Sequence, residues 1–375
     1  MRIAINTRFG AYEYLEGYGR FSREISNGLA AENPADEFFF YYDQKLVGNK
    51  LSFENVNQIV MGPPARHPLL WKYWYDVRIP ASLSKHKAEV FFSPDGICSL
   101  HTKLPQVLVI HDLAFLHFPG FMPKSQYWFY KHYTPQFIRK AKRIITVSSF
   151  SKNDILEQYP FAKDKIDVVY NAADPAFRPI SWAEKEQWKE SFSGGREYFL
   201  YLGSIHPRKN LINLLKAFSG FKKRQKTNMQ LIIAGRMAWQ HEDFTKALST
   251  FRFRDDVKLT GYVPQSELVR LMGSAYALVY PSVWEGFGMP VLEAMQAGVP
   301  VICSAGSALP EIAGEAALYF DPMNPEDIGR QMAQVYKDEI ARSLMIERGL
   351  ERAGTFNWSH SCKQVREILQ EAATG

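Results

Sequence analysis

The chain is poor in cysteine: it has three, Cys98, Cys303 and Cys362, far apart and without any Cys-x-x-Cys spacing. That pattern argues against a disulfide framework or a thiolate metal site, and it suits a reducing cytoplasm. Long apolar runs are missing too. No stretch reaches the ~20 residues that span a bilayer, and the opening Met-Arg-Ile-Ala-Ile-Asn reads as a strand, not as the core of a secretory signal peptide. No short-period repeat or low-complexity tract appears.

What is present belongs to a folded globular protein. Apolar residues make up 46% and charged residues 22% of 375, enough for two cores of roughly 150–200 residues each. The formal charge of +6 and a pI near 9.0 suit an anionic partner: a phosphorylated substrate, an acidic membrane surface or nucleic acid.

Short buried-strand runs alternate with helical patterns along both halves. The first half has strands at Arg2–Asn6, Phe38–Tyr42, Val56–Met61, Val90–Ser93, Val107–His111, Arg143–Ser148 and Ile166–Tyr170. The second has them at Tyr198–Gly203, Gln230–Ala234, Val257–Leu259, Ala277–Tyr280, Val299–Cys303 and Leu318–Phe320. Such alternation predicts two α/β domains with doubly wound parallel sheets. Asp-Pro, Arg-Pro and Gly-Gly punctuation places a linker at 176–195, between domains at 1–175 and 196–355, and a C-terminal helix over 356–375 crosses back to the first domain.

Ligands of open parallel sheets sit beyond the carboxyl ends of strands, which singles out three places. His111 and Asp112 end one strand. Arg208 and Lys209 follow another in Gly-Ser-Ile-His-Pro-Arg-Lys-Asn, where two cations at a helix start oppose its dipole and call for an anion such as a diphosphate. The third is Tyr280–Pro300, a strand, a Gly-Phe-Gly turn and a helix that Pro290 starts at its first position and Gly298 ends. Glu285 and Glu293 bracket the amides of that helix start, a layout that fits an anion flanked by hydroxyls, as in a nucleoside diphosphate sugar.

Other features carry less. Gly17 and Gly19, in a strand-to-helix loop before a helix at Phe21–Ala31, are a Gly-x-Gly without its third glycine, as are Gly286 and Gly288; a nicotinamide dehydrogenase therefore lacks its fingerprint. Ser151 reads as the N-cap of a helix at Lys152–Gln158. Two segments dense in aromatics and bases, Leu69–Lys87 and Tyr127–Arg143, admit two readings: a membrane or acceptor surface, or amphipathic helices with core-facing rings. Pro135 interrupts the second of them or starts a new helix.

On Gly17-Tyr18-Gly19-Arg20, His111-Asp112-Leu113, Val147-Ser148-Ser149-Phe150-Ser151, Gly203 through Asn210, Gly261-Tyr262-Val263, and Glu285-Gly-Phe-Gly-Met-Pro with Glu293, the chain resembles the retaining glycosyltransferases of family 4, or group 1. The resemblance implies the GT-B fold, two Rossmann-like domains facing a central cleft. By position, Glu293 would bind the donor ribose, and Glu285 with the amides of Phe287, Gly288 and Met289 the donor sugar. Arg208 and Lys209 would neutralise the leaving diphosphate and His111 would contact the sugar. Gly17 and Gly19 would approach the phosphate, and backbone near Arg236 and Val263 would lie by the base.

No Asp-x-Asp triplet occurs, so no metal and no cofactor is expected, and the two cations would take the metal's role. Trp71–Pro80 with Ala88–Pro94, and the run His111–Pro119, look like bacterial mannosyltransferases of O-antigen and related polysaccharide synthesis. The implied donor is GDP-mannose, with UDP-glucose as the alternative, and the acceptor a saccharide or lipid-linked glycan. The enzyme would be cytoplasmic with a peripheral contact on the inner membrane, and no nucleic acid is expected. The rivals are a nucleotide-sugar 2-epimerase of the same fold and a basic surface-binding protein.

Overall fold

A computed structural model describes residues 1–11, 17–45, 53–238 and 241–375. The chain forms two units, Met1–Asn171 with Asn357–Gly375, and Ala172–Phe356.

The first unit has a seven-stranded sheet: β1 Arg2–Asn6, β2 Glu37–Tyr42, β3 Val56–Val60, β4 Val90–Ser93, β5 Gln106–Val109, β6 Arg143–Thr146 and β7 Ile166–Val168. All neighbours are parallel, in the order β3-β2-β1-β4-β5-β6-β7. The central strands are buried along their length because helices cover both faces, which is why they read as near-continuous apolar runs such as Phe38-Phe39-Phe40. The edge strand β3 is only half-buried.

The second unit repeats the plan with β8 Tyr198–Leu202, β9 Gln230–Ala234, β10 Val257–Gly261, β11 Ala277–Tyr280, β12 Val301–Ser304 and β13 Ala317–Phe320, parallel in the order β10-β9-β8-β11-β12-β13. The two doubly wound sheets are those the alternating pattern predicts. In each, the connections reverse direction at one place, between β1 and β4 and between β8 and β11.

Boundaries differ at several helices. Gly17 and Gly19 lie within the first turn of the helix Gly17–Glu32, not in a loop before it; glycine disfavours helix, but the buried stripe of Phe21, Ile25 and Leu29 carries the helix outward. The N-cap after β6 is Ser148, whose hydroxyl accepts from the Ser151 amide at 3.0 Å, so the helix is Ser149–Gln158. Pro135 neither stops nor starts a helix: Lys124–Lys140 runs through it.

The aromatic segments mostly face inward. Trp71, Trp74, Tyr75, Phe129 and Phe137 are buried in one cluster, while Leu69 and Trp128 remain 75% and 60% exposed. Ser181 and Glu184 form a capping box for the helix Trp182–Ser193, which lies in the second unit with Trp188 beneath Arg270 at 4.3 Å.

The C-terminal helix Trp358–Thr374 packs on Gly17–Glu32. Cys362 Sγ lies where a Gly28 side chain would stand. Arg366 Nε pairs with Asp36 at 2.7 Å, and Asp36 also holds the chain's amino terminus at 2.5 Å. Among the described residues no helix is long and apolar enough to cross a membrane.

Candidate active site

In the second unit Arg208, Lys209 and Glu285 meet where β8 and β11 lie side by side, the switch point of its sheet and the usual place for a ligand in such folds. From β8 the chain passes through His206 into a tight turn, Pro207–Lys209. His206 Nδ1 accepts from the Arg208 amide at 3.2 Å. Asn210 takes a left-handed conformation, φ 59°, and its side-chain amide donates to the carbonyls of Pro281 and Pro322, at 3.2 and 2.6 Å. The turn is thus tied to the strand beside it.

Lys209 points inward and is only 8% exposed. Its ammonium pairs with Glu285 and donates to Tyr280 Oη at 2.9 Å, and Tyr280 Oη donates to Glu285 Oε1 at 3.0 Å. Arg208 lies on the other carboxylate oxygen, 3.4 Å away, and donates to the carbonyl of Trp284. The anion that compensates the two cations within the chain is therefore Glu285, 76 residues downstream of Lys209.

Burial alone would push the Glu285 carboxyl up, but Lys209 and Arg208 outweigh it and hold it at about 2. Glu285 stays ionised at neutral pH, an acceptor and not an acid. Burial, and then the charge of Glu285, raise the Tyr280 hydroxyl well above its ordinary value, so Tyr280 remains a donor.

Beyond Glu285 the chain turns at Gly286-Phe287-Gly288 into the helix Met289–Gln296. Gly288 has φ 101°, and a Cβ there would strike Leu309, so only glycine fits. Met289 is the first helical residue and Pro290 the second, one place later than the sequence suggests. Phe287 is buried edge-on against Phe356, centroids 5.8 Å apart, which fixes the turn just before the helix's first amides. Glu293, one turn on, is 2% exposed. Arg236, exposed after β9, accepts from the Ile205 amide at 2.9 Å through its carbonyl, and Val263 follows β10. Arg208, Lys209, Glu285, Arg236 and Val263 thus all stand beyond the carboxyl ends of one sheet.

The first unit has its own group at the matching edge. His111, just after β5, is half-buried, and its Nε2 meets the Pro94 carbonyl at 2.9 Å. Phe21 and Tyr18 pack on its ring, at 5.3 and 6.1 Å. Burial lowers its pKa, outweighing the pull of Pro94, Asp112 and Asp95 in the other direction. Asp112 caps the following turn by accepting from the Ala114 amide at 2.9 Å. At the switch point beside it lies a buried set that the sequence reading missed: Arg8, Asp95, Tyr75 and Asn6. The rule that found His111 also reaches Arg8, after β1, and Asp95, after β4.

The family described as glycosyl transferases group 1 matches residues 183–352, and the glycosyltransferase family 4 model matches 17–177. An O-antigen chain mannosyltransferase B of Escherichia coli is 28% identical over 94% of this chain and 95% of its own length. The O-antigen chain mannosyltransferase RfbU of Salmonella typhimurium is 28% identical over 69% of this chain and 68% of its own. The structure of a sucrose-phosphate synthase from Thermosynechococcus elongatus superposes with a TM-score of 0.80 at 16% identity, covering 99% of this chain and 98% of that one. The chain belongs to the group 1, family 4 glycosyltransferases and has their GT-B fold.

Proposed function

We propose that the protein is a retaining, metal-independent hexosyltransferase that moves mannose from GDP-mannose to a saccharide or lipid-linked acceptor in O-antigen or related polysaccharide synthesis. The mannose reading leans on the two O-antigen mannosyltransferases it resembles. The observation that carries the chemistry is the Lys209–Glu285–Tyr280 cluster with Arg208, set against a glycine-rich helix start.

Breaking the anomeric C–O bond leaves oxocarbenium character on the sugar and negative charge on the departing phosphate. Arg208 and Lys209 are the cations for that charge, and their alignment on Glu285 keeps them in place before it develops. The ionised Glu285 and the amides of Phe287, Gly288 and Met289 suit the sugar hydroxyls and the phosphate, Glu293 the ribose, and backbone near Arg236 and Val263 the base. Gly17 and Gly19, in the first turn of their helix, suit the phosphate. His111 suits a sugar hydroxyl. Without an Asp-x-Asp triplet, diphosphate neutralisation falls to the two cations. Peripheral attachment to an anionic membrane is supported by exposed Leu69 and Trp128 among lysines and arginines.

Thermal-shift titration against GDP-mannose, UDP-glucose and other nucleotide sugars tests the donor, because a ligand that binds only the native state raises its stability. GDP-mannose should give the largest shift, and NMR of the product should show the donor's anomeric configuration. Inverted product, or epimerised sugar formed without acceptor, would overturn the proposal.

A further inference from the structure

The buried set in the first unit is costly. Asp95 Oδ2 accepts from Arg8 Nε at 2.7 Å, and Tyr75 Oη donates to the same carboxylate at 2.6 Å. Asn6 Nδ2 donates to Tyr75 Oη at 2.6 Å, and Ser93 Oγ stands 3.2 Å from Asp95 Oδ1. The Arg8 and Asp95 side chains are both nearly inaccessible, at 4% and 1% exposure. Apolar residues of similar volume commonly fill such a space at no loss of stability, so an ion pair here calls for a use besides cohesion.

Its place supplies one. Pro94 lies between Ser93 and Asp95, two members of the set, and its carbonyl meets His111 Nε2 at 2.9 Å. The Pro94 carbonyl lies in the planar peptide it shares with Asp95, and the proline ring fixes the φ before it, so the placement of Asp95 sets the carbonyl's direction. A carbonyl only accepts. Neutral His111 must therefore carry its proton on Nε2, which makes Nδ1 a hydrogen-bond acceptor. The rest of the residue is also held: Ser151 Oγ donates to the His111 carbonyl at 3.0 Å, and Phe21 and Tyr18 pack on the ring. The carboxylates that face it are Asp112, its neighbour, and Asp95, both drawing His111 toward its protonated form, while burial works the other way.

We propose that Arg8, Asp95 and Tyr75 are positioning residues that lock His111 in the Nε2-protonated tautomer through the Pro94 carbonyl, so that Nδ1 meets a hydroxyl group and disfavours an anion. The proposal deepens, and rests on, the reading of His111 as a sugar-contacting ring. An acceptor nitrogen there distinguishes the hydroxyl face of a donor sugar from its phosphate, a choice a protonated imidazolium would reverse.

The test is long-range 1H–15N NMR of the full chain labelled in its nine histidines, with the His111 signal assigned by its loss in His111→Gln. Asp95→Asn leaves Arg8 buried without its carboxylate and tests folding along with position, so the working variants are Tyr75→Phe and Ser93→Ala, each removing one hydroxyl. The wild type should show His111 protonated on Nε2 alone at pH 7. Tyr75→Phe should mix the tautomers, shift the His111 titration and lower kcat/KM roughly tenfold, the size of one hydrogen bond. Tyr75→Phe with His111→Gln should be no slower than His111→Gln alone. Unchanged His111 spectra in both working variants, or fully additive kinetic losses, would overturn the proposal. If the spectra respond but His111→Gln leaves kinetics untouched, the positioning link stands and the sugar-contact reading falls.

Discussion

Replacing Lys209 with methionine would leave the buried Glu285 carboxylate with only Arg208, 3.4 Å away, as a counter-charge. The pair holds Glu285 at about 2 against an ordinary 4.5, and that difference corresponds to about 3 kcal/mol of folding stability at neutral pH. Removing one partner of a buried pair costs about 3–5 kcal/mol by itself, and Arg208, still 3.4 Å from the carboxylate, keeps the loss at the lower end. The contribution is complete above pH 4.5, where the unfolded carboxyl is ionised, and is lost as pH falls through the folded value near 2. Urea unfolding at a series of pH values, followed by circular dichroism, should show Lys209→Met less stable by about 3 kcal/mol at pH 7. The gap to wild type should close between about pH 5 and 2. Adding Glu285→Gln should recover part of the loss, because the buried carboxylate that lost its ammonium is then gone. A gap that is the same at pH 7 and pH 3, or additive losses in the double variant, would refute the reasoning.

Six other substitutions separate roles. Glu293→Ala should raise the donor dissociation constant with little effect on turnover, whereas Arg208→Ala should lower kcat more than affinity; isothermal titration and steady-state kinetics read the two, and equal losses of affinity would contradict the division. Gly288→Ala should destabilise the second unit by about 1–3 kcal/mol in calorimetry, since φ 101° and the Leu309 side chain both oppose a Cβ. Gly17→Ala should be stability-neutral or better, because nothing lies within 4 Å of a Cβ there. Ser148→Ala should cost about 1 kcal/mol as a lost helix cap, and Ser151→Ala less, reported by thermal melts.

Both sheets could be read from the sequence because buried parallel strands leave unbroken apolar runs, as at Phe38–Tyr42 and Gln230–Ala234. The carboxyl-end rule led to His111, two cations at a helix start to Arg208, and a glycine-rich helix start between two acids to Glu285. What escaped was pairing across long separations. Lys209 and Glu285 are 76 residues apart, and Arg8 and Asp95 are 87 apart, so nothing local marks either pair. Tyr280 reads as one more core ring at the end of a buried strand, and only the fold shows its hydroxyl between an ammonium and a carboxylate. Local chemistry also misled where residues repeat: Val-Ser-Ser-Phe-Ser offers three hydroxyls for one cap, and the fold uses Ser148.

The helix Trp358–Thr374 has a consequence for the order in which the protein is made. Residues 1–171 are made before the element that covers Gly28 and holds Asp36, because the whole second unit lies between them in the sequence. The second unit is complete in sequence at Phe356 and can finish folding while the first still waits. A premature stop after residue 356 would therefore spare the half encoded last and cripple the half encoded first.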